Sequence, residues 1–126
     1  MELLAARHPL LKNPVAVTIK ITPPATVLLI TGPNTGGKTV ALKTAGLLAL
    51  MAQAGVRIPV ADGSRLPVFR TIFADIGDEQ SIDASLSTFS AHVSNITSMD
   101  RDLIVPSLVL LDEVGSGTDQ IGRAHV

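Results

Sequence analysis

The sequence predicts an α/β fold, and three observations carry that expectation. An apolar run at 26–31 leads through a Gly-rich turn into a helix-forming stretch. A second apolar run, Ser107-Leu108-Val109-Leu110-Leu111, ends on Asp112-Glu113. Between the two, Leu86, Phe89, Val93, Ile96 and Met99 recur at spacings of 3, 4, 3 and 3, the period of an amphipathic helix. Strands and helices in alternation are the pattern of a sheet covered by helices.

Taken in order, residues 1–14 read as extended or looped, because Pro9 and Pro14 hold the chain out of a helix. A lone His8 reads as a surface or hydrogen-bonded residue rather than a ligand. Residues 15–21 alternate Val15, Val17, Ile19 and Ile21 with Ala16, Thr18 and Lys20, which predicts a half-buried strand ended by Pro23-Pro24. The run at 26–31 is apolar on both faces and is expected at the centre of a sheet. A helix over about 38–54 is apolar nearly all round and expected to be buried on most sides, with Gly55 as its stop. Residues 58–61 and 66–74 read as short strands about a hairpin-like turn at Asp62-Gly63, with Pro59 and Pro67 at an edge or at strand starts.

Residues 75–81, Asp-Ile-Gly-Asp-Glu-Gln-Ser, form an acidic stretch with two readings: a solvated turn, or a loop that approaches a metal or a neighbouring subunit. The hydroxyl-rich opening of the next helix, residues 85–90, also has two. Ser85 or Ser87 serves as an ordinary N-cap, or the helix N-terminus receives an anion.

The chemistry concentrates in Gly32-Pro33-Asn34-Thr35-Gly36-Gly37-Lys38-Thr39. Strand, Gly-rich turn and helix is the context that a phosphate-binding loop requires. Glycines 32, 36 and 37 let backbone N–H groups turn inward around a phosphate, and the new helix presents its positive end to the same anion. Lys38 then reaches the β- and γ-phosphates of a nucleoside triphosphate, and the Thr39 hydroxyl is a ligand for Mg²⁺. Val40 closes the nucleotide-binding stretch. In such a site Asp112 holds Mg²⁺ directly or through water, and Glu113 takes the proton of the attacking water. The flexible loop Gly115-Ser116-Gly117-Thr118-Asp119 follows.

Bulk properties narrow the partners. A net charge of −1 and 2% aromatic residues, with no Trp or Tyr, leave no basic footprint and no stacking platform for nucleic acid in this segment. The absence of cysteine excludes a disulfide framework and a thiolate metal site and fits a reducing, cytoplasmic compartment. The longest apolar stretch, about 45–54, is too short to span a bilayer, so no membrane partner is expected.

The phosphate-loop sequence at 32–39, Asp112-Glu113-Val114-Gly115-Ser116-Gly117-Thr118, and Arg7-His8-Pro9 together resemble the ATPase domain of the MutS family. Residues 73–82 and 86–92 look like its MutS-II branch rather than the mismatch-repair branch. The resemblance implies an ABC-type P-loop NTPase that binds ATP and Mg²⁺ and works as a homodimer with composite sites. It gives Ser87 and Thr88 a role in trans, capping the γ-phosphate held by the partner's loop, and it suggests that Asn34 positions the attacking water or the phosphate. Residues 115–119 become the loop that crosses the dimer interface, and His92 is assigned no chemistry. No aromatic near the loop is available to stack on the adenine, and the sequence does not assign its contacts, with Val15 and Arg7 the residues to examine. A complete protein of this branch carries a clamp that grips nucleic acid and, in many members, a C-terminal Smr nuclease domain. Its implied roles are suppression of recombination on DNA and action on stalled, collided ribosomes. True mismatch repair and an SMC- or ABC-like chromosome ATPase are the alternatives. The latter's signature helix opens with a Ser-Gly-Gly type sequence absent here.

The family pattern continues past Asp119 with Pro, an acidic residue and Gly, whereas this chain reads Gln-Ile-Gly-Arg-Ala-His-Val at 120–126. Ile-Gly-Arg-Ala-His-Val is what a common sequencing adapter encodes in one frame, and a Pro codon broken after its first base yields the Gln. Residues 1–119 are therefore expected to be a partial, incomplete ABC ATPase domain and 120–126 a non-native tail. In ABC-type sheets the next strand lies between the Asp-Glu strand and the phosphate-loop strand. Without it, backbone groups of both are left unpaired, and the polypeptide alone is expected to fold poorly and hydrolyse ATP negligibly.

Overall fold

The computed structural model describes residues 1–32, 37–76 and 82–112, with the side chains of 82–89 and 92 excepted. The chain forms two compact units, Met1–Phe69 and Arg70–Val126.

The first unit holds β1 (Glu2–Ala6), β2 (Val17–Lys20) and α1 (Gly37–Gln53). The two strands pair antiparallel, with Leu3 opposite Ile19 and Ala6 opposite Val17. Three steps along β1 thus match two along β2, which marks a bulge. Ala5 occupies the bulge with φ of 47°, and its N–H donates to Thr18 Oγ1 at 3.1 Å. The extra residue slips the alternation by one, so that Leu3 and Ala6 are both fully buried. Residues 1–14 are therefore not wholly looped, because their first five-residue run past Met1 is a strand that a bulge disguises. In β2, Ile19 is buried between exposed Thr18 and Lys20, as the alternation predicts over a shorter span.

The other edge of β1 is bound by an irregular segment rather than by a hairpin. Arg7 N–H donates to Pro59 O, Ala61 N–H to Leu4 O, and Glu2 and Arg65 exchange both backbone bonds at 2.7 Å. The turn at Asp62-Gly63 forms with Gly63 at φ of 91°, and Ser64 Oγ pins it, donating to Ala61 O and accepting from Leu4 N. The expected strands at 58–61 and 66–70 do not form. Pro59 and Pro67 remove ladder donors, and pairing with β1 is limited to isolated positions.

Helix α1 follows its expected bounds closely. Val56 N–H donates to Met51 O and Gly55 N–H to Ala52 O, with Gly55 at φ of 82°. That is the Schellman arrangement with glycine at C′. Ala41, Thr44, Ala45, Gly46, Leu48 and Ala49 are buried and only Gly37, Lys43, Leu50 and Gln53 are exposed, so the helix is covered on most sides, as expected, with Leu50 at 54% on the open side. At the helix exit the Gln53 amide clasps the Phe69 backbone from both sides, at 3.2 Å to the carbonyl and 2.8 Å from the N–H.

The expected central strand at 26–31 is absent. This segment is in neither sheet, and Val27 and Leu29 are 82% and 81% exposed. An apolar run becomes a buried strand only when neighbours on both edges accept its backbone bonds. Both sheets among the described residues are two-stranded, and this segment pairs with a strand of neither.

The second unit contains β3 (Thr71–Asp75), α2 (Ile82–Asp102) and β4 (Ser107–Leu111). The two strands pair in parallel, Thr71 opposite Ser107 through Asp75 opposite Leu111, and α2 is the crossover and packs against β3. Leu108 and Leu110 are buried, as expected of this strand. Short bonds fix the start of β3 to the turn before β4: Arg70 N–H to Pro106 O at 2.7 Å, and Thr71 Oγ1 donating to Ile104 O and accepting from its N–H at 3.0 Å. Along α2, Ile96 and Met99 are half-buried whereas Val93 is 48% exposed, and the side chains of Leu86 and Phe89 lie outside those described.

Candidate functional site

The expected site divides into two half-sites, one in each unit. The first is the N-terminus of α1. Gly32 has φ of 147°, in the region that favours glycine, before residues 33–36, which lie outside the described residues together with the expected roles of Pro33, Asn34, Thr35 and Gly36. The helix then opens at Gly37, Lys38 and Thr39. Helix starts usually carry Asp or Glu to offset the positive end of the dipole, but the first turn here has no acidic residue and instead holds a lysine. A Cβ built on Gly37 would meet nothing within 4 Å, so open space lies against the helix end. Lys38, Thr39 and Val40 are half-buried. Positive charge and the positive end of the helix dipole together suit an anion.

The second half-site is the carboxyl end of the parallel pair. Asp75 is the last residue of β3 and is 8% exposed, and Asp112 directly follows β4 and is 6% exposed. Asp112 N–H donates to Asp75 O at 3.1 Å, extending the ladder by one step and fixing the backbone of both acids. Asn95 Nδ2, from the middle of α2, donates to Asp75 Oδ1 at 3.4 Å. In sheets of this type ligands bind beyond the carboxyl ends of parallel strands, and two buried carboxylates stand at that end here.

Asp75 therefore belongs to a strand end and is not part of a solvated turn, while residues 77–81 lie outside the described residues. Asn95 and the burial of Asp75 are what sequence reasoning missed. A signal existed: residues 71–75 repeat the pattern of 107–112, an apolar run closed by aspartate.

Ser85 and Ser87 do not cap α2, because the helix already begins at Ile82. Ser87 and Thr88 sit in its second turn, where backbone N–H groups bond within the helix, so an anion there can be met only by side chains. Glu113, the loop 115–119 and the tail 120–126 fall outside the described residues. His8 is structural as expected, its Nδ1 accepting from Leu10 N–H at 3.2 Å. Arg7 donates to Pro14 O at 3.1 Å, and Val15 is 87% exposed.

Among the described residues no group of three or more His, Cys, Asp or Glu forms a metal cage. The candidate donors, Thr39 hydroxyl and Asp112 carboxylate, are hard oxygens. Each by itself is a donor of the type that Mg²⁺ takes, since that ion keeps most of its water and binds one or two protein ligands plus phosphate oxygens. An open concavity of about 580 Å³ lined by Arg57, Ile58 and residues 60–64 contains none of the expected site residues. No helix among the described residues is long and apolar enough to cross a membrane.

Residues 28–124 match the family profile described as MutS domain V. The chain is 59% identical over 120 residues to the endonuclease MutS2 of Pelotomaculum thermopropionicum and 60% identical over 121 residues to that of a Geobacillus strain, WCH70. It is 56% identical over 119 residues to the endonuclease MutS2 of Streptococcus gordonii. In each comparison 94% of this chain is covered, and it spans 15% of the relative's length.

Proposed function

Since this chain belongs to the MutS family, in its MutS2 branch, we propose that it is the nucleotide-binding part of a dimeric ATPase that acts on DNA. The observation that carries this reading is the start of α1, a helix end with no acidic residue in its first turn that places Lys38 and Thr39 directly after the Gly-rich stretch. In this reading the P-loop fold is completed by the remainder of the longer protein. The backbone of 32–37 and Lys38 bind the phosphates of ATP, and Thr39 and Asp112 hold Mg²⁺. Bound there, the metal neutralises charge that develops on the phosphoryl oxygens. Glu113 is the general base, Asn34 orients the water, and Ser87 and Thr88 of a second subunit close over the γ-phosphate.

DNA contact belongs to other parts of the longer protein, since this segment has a net charge of −1 and few aromatics. The relatives' name, endonuclease, points to a nucleic-acid target, and DNA and the stalled ribosome both contain one. Nuclease activity requires a further domain.

The test uses a full-length protein carrying this segment. Lys38→Ala is expected to lose ATP affinity. Glu113→Gln is expected to bind ATP, turn it over slowly and accumulate closed dimers. Unchanged turnover in Glu113→Gln removes Glu113 as the base, and unchanged affinity in Lys38→Ala removes the phosphate site.

A further inference from the structure

We propose that Asn95 is a positioning residue that couples α2 to the strand end bearing Asp112, with Asp75 as the link. The proposal rests on the ATPase reading above and adds to it a mechanical connection between the two parts of the site in the second unit.

Two bonds in series make the connection. The Asn95 amide donates to the Asp75 carboxylate, and the Asp75 carbonyl receives the Asp112 N–H. Asp75 is a register partner of Leu111, so a shift at Asp75 moves the residue immediately before Asp112. The two ends of β3 are held differently. Its start is fastened at 2.7 to 3.0 Å to the turn between α2 and β4. At its other end the Asn95 bond, at 3.4 Å, is longer than the usual range of about 2.7–3.2 Å. It is a side-chain contact through which α2 bears on the strand end beside Asp112.

Asn95 is itself solvent-exposed and touches no reacting atom, so its role is positional.

The test is a pair reversal in the full-length protein: Asn95→Ala, Asn95→Asp, Asp75→Asn, and the double variant Asp75→Asn with Asn95→Asp, which restores an amide–carboxylate pair in the opposite sense. Asn95→Ala and Asn95→Asp are expected to lower kcat about tenfold while the ATP Kd of the subunit stays within about twofold, the size of a contact-pair coupling. The double variant is expected to recover most of the loss. If Asn95→Asp does not fold, Asn95→Ala carries the same comparison, since it removes only an exposed side chain. No recovery in the double variant, or a Kd that changes in step with kcat, overturns the proposal. An unaltered protein without ATP turnover overturns the ATPase reading instead, and turnover without recovery overturns the Asn95 proposal alone.

Discussion

Leu29 separates two accounts of the segment at 26–31, ahead of the Gly-rich stretch. In this chain it is 81% exposed, nearly the same as Leu10 at 80%, while Leu48 is fully buried. If that exposure is intrinsic to the segment, Leu29→Ala in a full-length protein should behave like Leu10→Ala, with an effect within about 0.5 kcal/mol. If residues 26–31 become a central strand once further chain supplies its neighbour, Leu29→Ala should resemble Leu48→Ala and cost about 2–5 kcal/mol. For a domain of about 150–250 residues, 1 kcal/mol corresponds to roughly 2–4 °C in Tm, so the second account predicts a fall of about 4 to 20 °C. The assay is scanning calorimetry, reading the transition that ATP shifts upward, because ligand binding marks the domain holding the site. We expect the second outcome. A Leu29→Ala shift no larger than that of Leu10→Ala, beside a large one for Leu48→Ala, would refute the strand-completion argument and with it the P-loop fold.

Three further outcomes are expected. Gly55→Ala should destabilise the same transition by about 1 kcal/mol, because φ of 82° strains any residue with a Cβ although none of the surroundings obstructs one; Gly55→Asn should cost less. The 126-residue polypeptide by itself should show neither a cooperative unfolding transition nor ATP turnover, and finding both contradicts the partial-domain reading. Reading the gene from source DNA past the Asp119 codon should give Pro, an acidic residue and Gly in place of 120–122, and an unchanged sequence through Val126 refutes the adapter origin of the tail.

What was legible in the sequence was local. Helix α1 writes its own stop, since Gly55 is needed at C′ whatever else the chain does, and the Schellman bonds to Met51 and Ala52 follow from it. The bounds of β4 were legible because five apolar-rich residues lie between Pro106 and two acids. The register of β1 was not, because the bulge at Ala5 breaks the alternation and is required only by the pairing with β2. The start of α2 was obscured for a different reason. Hydroxyl residues at 85, 87 and 88 favour caps, but the helix that packs on β3 extends past them to Ile82.

Asp75 shows where such reading stops. Taken alone, an acid at the head of an acidic stretch is indistinguishable from a solvated turn, and nothing within ten residues decides the matter. Its environment is set by a strand that begins at Ser107 and by a helix residue at Asn95, both distant in sequence. Parallel pairing is what carries the Asp75 carboxylate to the same sheet end as Asp112 and withdraws both from solvent. The same logic runs in reverse at 26–31, where an unambiguous local pattern fails for want of a partner. A strand is a property of two segments, so candidate catalytic residues at strand ends become legible only when the pairing is known. The candidate residues Lys38 and Thr39 needed no such knowledge, because the helix start that carries them is set locally.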